Sequence, residues 1–249
     1  MDPNKPLSGK IALVTGSSRG IGRAMVERLS RDGAAVAINY LRDSNNAGDV
    51  VAAIASEGGK AVALQADISK LEEIQRLFEQ TFAHFGHLDI LVNNAGIRIS
   101  KNAADIQEEE FDRLFAINVK GPFFACQLAA RRLSDGGRII NVSSAVTRMM
   151  LPGYSIYAAS KAAVDQITRI LAKELGERNI TVNAVAPGSV DTALFRDGKT
   201  REQIQQIAQM TALGRIGHVR DIADVVAFLA SNDARWISGQ TIHINGGYI

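Results

Sequence analysis

The chain of 249 residues has one cysteine, one tryptophan, four histidines and five prolines, and each scarcity closes a class of answers. A lone Cys126 cannot form an intrachain disulfide and points to a reducing compartment; its apolar helical surroundings suit packing better than catalysis. His84, His87, His218 and His243 fall into no HExxH or Cys/His ligand spacing, so no catalytic metal is expected. No apolar run is long enough to cross a bilayer without a charge or break, and the N-terminal MDPNKPLSGK lacks a signal peptide's apolar core. Lys and Arg exceed Asp and Glu only as 28 against 26, with no basic block or stripe to follow a nucleic acid. The expectation is a soluble, cytoplasmic protein with neither a nucleic-acid nor a membrane partner. With 46% hydrophobic and 22% charged residues, the chain can bury a large core without staples, which fits one α/β domain over 1–249.

From Lys10 the sequence reads as a short apolar strand, a Gly/Ser turn, an amphipathic helix and a second strand ending near Asn39. In the turn, Gly16 suits a tight bend, Gly20 allows close backbone approach of a ligand, and Gly22 lets the helix pack on the strand. The helix amides would then face a pyrophosphate. A ribose 2′-hydroxyl calls for Asp or Glu at the end of the second strand, but Asn39 is neutral, with Arg19 and Arg42 nearby. Two guanidinium groups without an opposing carboxylate suit a 2′-phosphate, hence NADPH over NADH; otherwise they are solvated surface residues.

A helical segment Asn45 to Ser56 leads to a third strand, Ala61 to Ala66, and to Asp67, placed to accept from an adenine amino group or to cap a helix beginning near Lys70. Helix periodicity from Leu71 to Phe85 precedes a fourth strand, Leu88 to Val92, which enters Asn93-Asn94-Ala95-Gly96. These small residues permit backbone contact with a cofactor, or bond locally to fix the turn. Glu108 to Leu133 reads as a long helix interrupted at Gly121-Pro122. Pro122 has no amide hydrogen for the Asn118 carbonyl, so a kink and a water site are expected there; the kink serves either a proton route or packing alone.

A fifth strand, Arg138 to Val142, delivers Ser143-Ser144, and a helix from Ile156 to Leu175 begins with Tyr157 and Lys161 on one face. A Lys cation beside the phenol would lower its pKa toward the range of efficient proton transfer, with the Ser144 hydroxyl near; the alternative is a half-buried Tyr and a solvated Lys. Ser144 lacks the GxSxG elbow of an esterase nucleophile. Met149, Met150, Leu151, Pro152 and Tyr154 form an apolar loop that flanks a substrate or covers an interface. A sixth strand, Ile180 to Val185, turns at Pro187-Gly188. The region 188–217, Thr/Gly/Arg-rich from Asp191 and holding a short helix from Arg201 to Met210, reads as a lid or as a surface excursion. A helix from Asp221 to Leu229 and a strand from Thr241 to Ile244 complete the chain.

Taken together, TGSSRGIG at Thr15 to Gly22, NNAG at Asn93 to Gly96, the set Asn118, Ser144, Tyr157 and Lys161, and Pro187-Gly188 with Thr192 resemble the short-chain dehydrogenase/reductase family over nearly the whole chain. The resemblance implies a Rossmann-type, doubly wound, seven-stranded parallel sheet with helices on both faces, and a homotetramer. It implies an NADPH/NADP+ cofactor held by Gly16, Ser18, Arg19, Gly20, Ile21 and Gly22, then by Asn39, Tyr40, Arg42, Asp67 and Ile68. Asn94, Ala95 and Gly96, with Pro187, Gly188, Val190 and Thr192, would line its nicotinamide side, together with Tyr157 and Lys161. In the implied reaction Tyr157 exchanges the proton, Ser144 bonds the substrate oxygen, Lys161 tunes the phenol and holds the ribose, and Asn118 places a water. Where carrier-protein reductases run Thr-Arg-Asp after NNAG, this chain has Ile97-Arg98-Ile99-Ser100, and AARRLSDGGRIINVSS is more similar to naphthol- and glucose-type relatives. The expected substrate is therefore a small or medium ketone or secondary alcohol, with 3-oxoacyl thioester reduction and a non-catalytic nucleotide-binding oligomer as alternatives.

Overall fold

The computed structural model describes residues 5–249; the first four residues of the N-terminal stretch read above lie outside it. The apolar tetrad IALV forms β1 (Ile11–Val14), and its alternation divides the core. Ala12 and Val14 pack with Met25, Leu29, Val50 and Ile222 on one face, while Ile11 and Leu13 pack with Ile74, Leu77, Phe78 and Cys126 on the other. Burial on both faces explains why the strands are short continuous apolar runs rather than alternating ones.

After β1 come α1 (Gly20–Arg31), β2 (Ala35–Tyr40), α2 (Ser44–Ser56), β3 (Ala61–Gln65), α3 (Leu71–Phe85) and β4 (Ile90–Asn93). The second half runs α4 (Glu108–Phe115), α5 (Gly121–Arg132), β5 (Arg138–Val142), α6 (Ser155–Glu174) and β6 (Thr181–Pro187). It ends with α7 (Ala193–Arg196), α8 (Arg201–Gln209), α9 (Val219–Ala230) and β7 (Thr241–Ile244). All pairings are parallel, and the sheet order is β3-β2-β1-β4-β5-β6-β7. This is the doubly wound Rossmann sheet: strand order reverses between β1 and β4, which opens a crevice at their carboxyl ends. Among the described residues, no helix is long and apolar enough to cross a membrane.

The expected break at Gly121-Pro122 takes a different form. Between α4 and α5 the helix widens into a π turn over Ala116–Lys120, where the Gly121 amide reaches back to the Ala116 carbonyl. The chain thereby passes Pro122 without ending, which is how a widened turn accommodates a missing donor. Gly121 has no room for a side chain, since a Cβ there would lie 2.4 Å from the Ile68 carbonyl oxygen. Two other expectations shift: β6 extends to Pro187, and the segment after it carries two helices, α7 and α8, rather than one.

Candidate active site

The turn after β1 and the turn after β4 are pressed together at the crevice. A Cβ on Gly16 would sit 2.9 Å from both Ala95 Cα and Ala95 Cβ, and one on Gly22 only 2.5 Å from the Gly16 carbonyl oxygen. Thr15 Oγ1 accepts from the Asn94 and Ala95 amides at 3.0 and 3.1 Å, while Asn94 Nδ2 donates to the Thr15 and Gly16 carbonyls at 2.9 Å each. The NNAG motif thus makes the local bonds that fix the turn. Gly20 opens α1 with φ +57, Arg19 offers no side-chain cap, and the first turn carries no acid. The α1 amides are left facing outward, a site suited to an anion. Ser18 is buried beneath this turn and Ile21 half-buried behind it.

At the end of β2, Asn39 is 2% exposed and its carboxamide is fully engaged. It accepts from the Gly16 amide at 3.1 Å and donates to the Leu64 and Ala66 carbonyls at 3.3 and 3.1 Å. The side chain therefore braces the glycine turn, and its lack of charge is what it presents to the crevice. Arg19 and Arg42 are exposed, and among the described residues neither is in an ion pair. Tyr40 is half-buried at the strand end. Asp67 Oδ1 accepts from the Ser69 amide and hydroxyl at 2.9 and 2.7 Å, so it folds a turn before α3 instead of capping it; α3 begins after Lys70 without a side-chain cap. Ile68 follows, packed under Gly121.

Four side chains from three elements meet beyond Gly96. A Cβ on Gly96 would lie 3.2 Å from Asn118 Oδ1 and 3.5 Å from Lys161 Nζ, so only glycine leaves this approach open. Asn118, on the π turn, accepts from the Ile97 amide and donates to the Ile97 carbonyl, both at 2.9 Å, and also donates to Ser160 Oγ at 3.2 Å. Ser144 caps the 3-10 turn after β5, accepting from the Val146 amide at 3.3 Å, and faces the Tyr157 phenol. Lys161 is 5% exposed and its Nζ donates to the Val142 carbonyl at 2.7 Å, 6.0 Å from the Tyr157 ring centre.

Electrostatics here differ from the expectation that Lys161 draws the phenol downward. Burial raises the Tyr157 pKa above its ordinary value; the Ser144 hydroxyl and then the Arg98 guanidinium pull against it, and Lys161 is not among the groups acting on it. Burial also pushes Lys161 down to about 8, with Asp165 opposing. Desolvation wins at both groups because each charged form would stand in a site that water barely reaches. The phenol keeps its proton at neutral pH, the state required of a proton donor. The Cys126 thiol, buried against Asn93 and Asn141, is pushed up to about 12 and is inert there.

On the opposite bank, Pro187 ends β6 and Gly188 abuts β7, where a Cβ would meet Asn245 at 2.8 Å. Val190 and Gly217 pair as a bridge, which closes the base of the intervening segment. Thr192 caps α7 by accepting from the Phe195 amide at 3.1 Å, and its methyl lies 3.7 Å from a Cβ built on Gly20. Two contributors escaped sequence reasoning. Ser160, which ties Asn118 to α6 and donates to the Tyr157 carbonyl at 2.7 Å, has no signal except its place beside Lys161. Arg98, which acts on Tyr157, could have been sought from its position directly after the NNAG turn.

A phosphate-accepting turn at the switch point, facing a buried Tyr and Lys beside a Ser, defines a dinucleotide-dependent oxidoreductase of the Rossmann class. A family model described as enoyl-(acyl carrier protein) reductase matches residues 16–249. A short-chain dehydrogenase/reductase from Serratia marcescens superimposes with a TM-score of 0.94 at 43% identity, covering 98% of this chain and 99% of that one. The angucycline C-6 ketoreductase LanV, solved with bound NADP, gives 0.92 at 44% identity, over 98% and 96% of the two chains. The hydroxynaphthalene reductase-like protein Arp2 of Metarhizium majus is 42% identical over 258 residues, 98% of this chain and 97% of the relative. The chain belongs to the short-chain dehydrogenase/reductase family.

The depressed Lys161 pKa has a consequence for stability. Between about 8 in the fold and 10.5 in the open chain, the unfolded state holds a proton that the folded one has lost, so this group favours folding increasingly as pH rises through that window. Below it, the buried ammonium costs the fold about 3 kcal/mol. Urea denaturation of cofactor-free wild type and Lys161→Met should show the difference in unfolding free energy moving toward wild type from about pH 8 to about pH 10. A flat difference would mean that the ammonium is solvated after all.

Proposed function

We propose that this protein is an NADPH-dependent carbonyl reductase, in reverse an alcohol dehydrogenase, acting on a small or medium ketone or the matching secondary alcohol. The observation that carries this reading is the convergence of Ser144, Tyr157, Lys161 and Asn118 past the glycine of the β4 turn, on the same crevice as the uncapped α1 amides. The residues present fit the cofactor: the Gly20 turn has no side chain to block a pyrophosphate, and Arg19 and Arg42 are not paired with acids. NADPH, when bound, supplies the hydride. The relatives support the cofactor, since LanV is solved with NADP.

The chain's own residues handle the proton and the oxygen. Ser144 Oγ would hold the substrate oxygen beside the phenol, and the Tyr157 hydroxyl gives that oxygen its proton as negative charge builds on it. Lys161, sealed against the Val142 carbonyl, would bond a ribose hydroxyl across the opening at Gly96 and pass a proton toward the phenol. Pro122 withholds the amide that would ordinarily occupy the Asn118 carbonyl, which leaves a point for the first water of a resupply line. The whole of 1–249 is taken as one catalytic domain, with 188–217 closing over the crevice from its base at Val190 and Gly217 and excluding water.

The assembly we propose is a homotetramer in a cytoplasmic setting, the latter resting on the lone, buried thiol. Two separate apolar faces support the former. Phe111, Phe123 and Ile170 are exposed along α4, α5 and α6 beside an apolar depression of about 430 Å³, while Phe228 and Trp236 are exposed on and just beyond α9. Two self-complementary faces close four copies with twofold axes.

Steady-state NADPH oxidation with small ketones, diketones, cyclic ketones, quinones and 3-oxoacyl thioesters tests the reading and ranks the alternatives. Tyr157→Phe should lower turnover by about 10²–10⁴-fold while NADPH still binds, the size of a lost general acid; near-wild-type turnover would remove Tyr157 from the chemistry. Removing both guanidinium groups in Arg19→Ala/Arg42→Ala should weaken NADPH about 10–100-fold and leave NADH nearly unchanged, as expected for lost charge-assisted bonds. An unaltered ratio of the two affinities would assign the phosphate to other groups. Light scattering should give four chains for the wild type and two for Phe123→Glu; a wild-type monomer would refute the assembly.

A further inference from the structure

Most cations around the mouth of the crevice are already matched. Asp191 takes Arg196 through both oxygens at 2.6 and 2.9 Å, Asp221 takes Arg215 at 2.7 and 3.1 Å, and Glu110 takes Lys101. Arg98 and Lys199 are exceptions, both half-buried and neither in an ion pair among the described residues.

Geometry brings these two together over the catalytic corner. Arg98 follows Ile97, whose amide and carbonyl are both gripped by Asn118, so its backbone is fixed against the residues around Lys161. Lys199 hangs from the end of α7, with its Nζ donating to the Phe195 carbonyl at 2.8 Å and lying 5.0 Å from the Phe195 ring centre. The α7 cap, Thr192, approaches Gly20, so the segment carrying Lys199 lies over the crevice. Burial and then the Arg98 charge lower the Lys199 pKa, with Asp197 opposing, and the same guanidinium acts on Tyr157. Three groups therefore share one small space. The wall facing them is apolar: the loop bearing Arg98 runs along Gly153, with the Lys101 amide on the Gly153 carbonyl at 2.9 Å, and the Tyr154 ring stands edge-on to Tyr157 at 6.2 Å.

Two half-buried cations facing each other repel, and desolvation adds to the cost; an anion between them relieves both. We infer that Arg98 and Lys199 form a paired cationic anchor that selects ketones carrying a carboxylate remote from the reacting carbonyl. The inference rests on the carbonyl reductase reading and narrows its substrate class to amphipathic keto acids, with the hydrocarbon body against Tyr154 and the acid on the two cations.

The probes are para-acetylbenzoate and its neutral match, para-acetylbenzamide, each with saturating NADPH. The wild type should show kcat/KM about 10-fold or more higher for the acid, the range of one or two charge-assisted contacts, and the difference should lie mainly in KM. In Arg98→Gln/Lys199→Gln the ratio should fall toward one. A wild-type ratio near one, a ratio that survives the double substitution, or a loss that appears in the KM for NADPH instead would each overturn the anchor. Turnover of neither ketone would count against the reductase reading and not against the anchor. Calorimetry of the NADP+-bound protein with the same two ligands then decides the anchor: preferential binding of the acid, abolished in the double variant, upholds it, and equal binding overturns it.

Discussion

The contact on which the rest depends is between two pieces of backbone, the turn after β1 and the turn after β4. Neither Gly16 nor Gly22 has space for one more carbon, and the Asn94 carboxamide fills the remaining gap by donating to two carbonyls of the other turn. Overpacking here would force main chain apart, because the neighbouring atoms are backbone and cannot rotate away. That closeness fixes where α1 begins, and so where its unsatisfied amides point. It equally fixes Gly96, a few residues along, against Asn118 and Lys161. One packing constraint thus sets both the anion end and the chemical end of the crevice.

A second theme is that burial dominates the charges in the site. The same desolvation that holds the Tyr157 proton on tends to take the Lys161 proton off, so both groups are driven toward their neutral forms. Environments that push two titratable groups' pKa values toward one another bring the donor and its resupply closer to a common pH. The arrangement is unfavourable for folding, since an ammonium sealed beneath a helix with one carbonyl partner is a poor substitute for water. Strain of this kind persists where the surrounding packing over-determines the geometry, as the apolar clusters on both sides of the sheet do here.

Much of this was legible in the sequence, for identifiable reasons. Strong short-range signals carried the strand-turn-helix at Gly16 to Gly22, the shared face of Tyr157 and Lys161, and β7 at Thr241–Ile244. What escaped depends on tertiary context. The π turn at Ala116–Lys120 has no period of its own in a sequence, and α7, with four residues, is too short to show one. Whether Asn39 turns toward a ligand or into the glycine turn is decided by the carbonyls of Leu64 and Ala66, which arrive from another strand. The failure of Lys161 to lower the phenol pKa is a burial effect, and burial at a helix start cannot be read from a spacing of four.

The π turn acquires its meaning from Asn118. An α-helix continued regularly through Pro122 would leave a carbonyl without a donor and set each following side chain at a different angle; the widened turn absorbs one residue and lets α5 resume. The carboxamide displaced in this way grips the whole Ile97 peptide on one side and Ser160 on the other. It therefore joins the β4 turn, the α4–α5 junction and α6 at a single buried point. Each bond is an ordinary one, worth about 1 kcal/mol, and their sum is not what matters. A misplacement of about 1 Å between the proton donor and a bound substrate can cost about a hundredfold in rate, so one side chain that ties together three independently packed elements protects the chemistry more than it protects the fold.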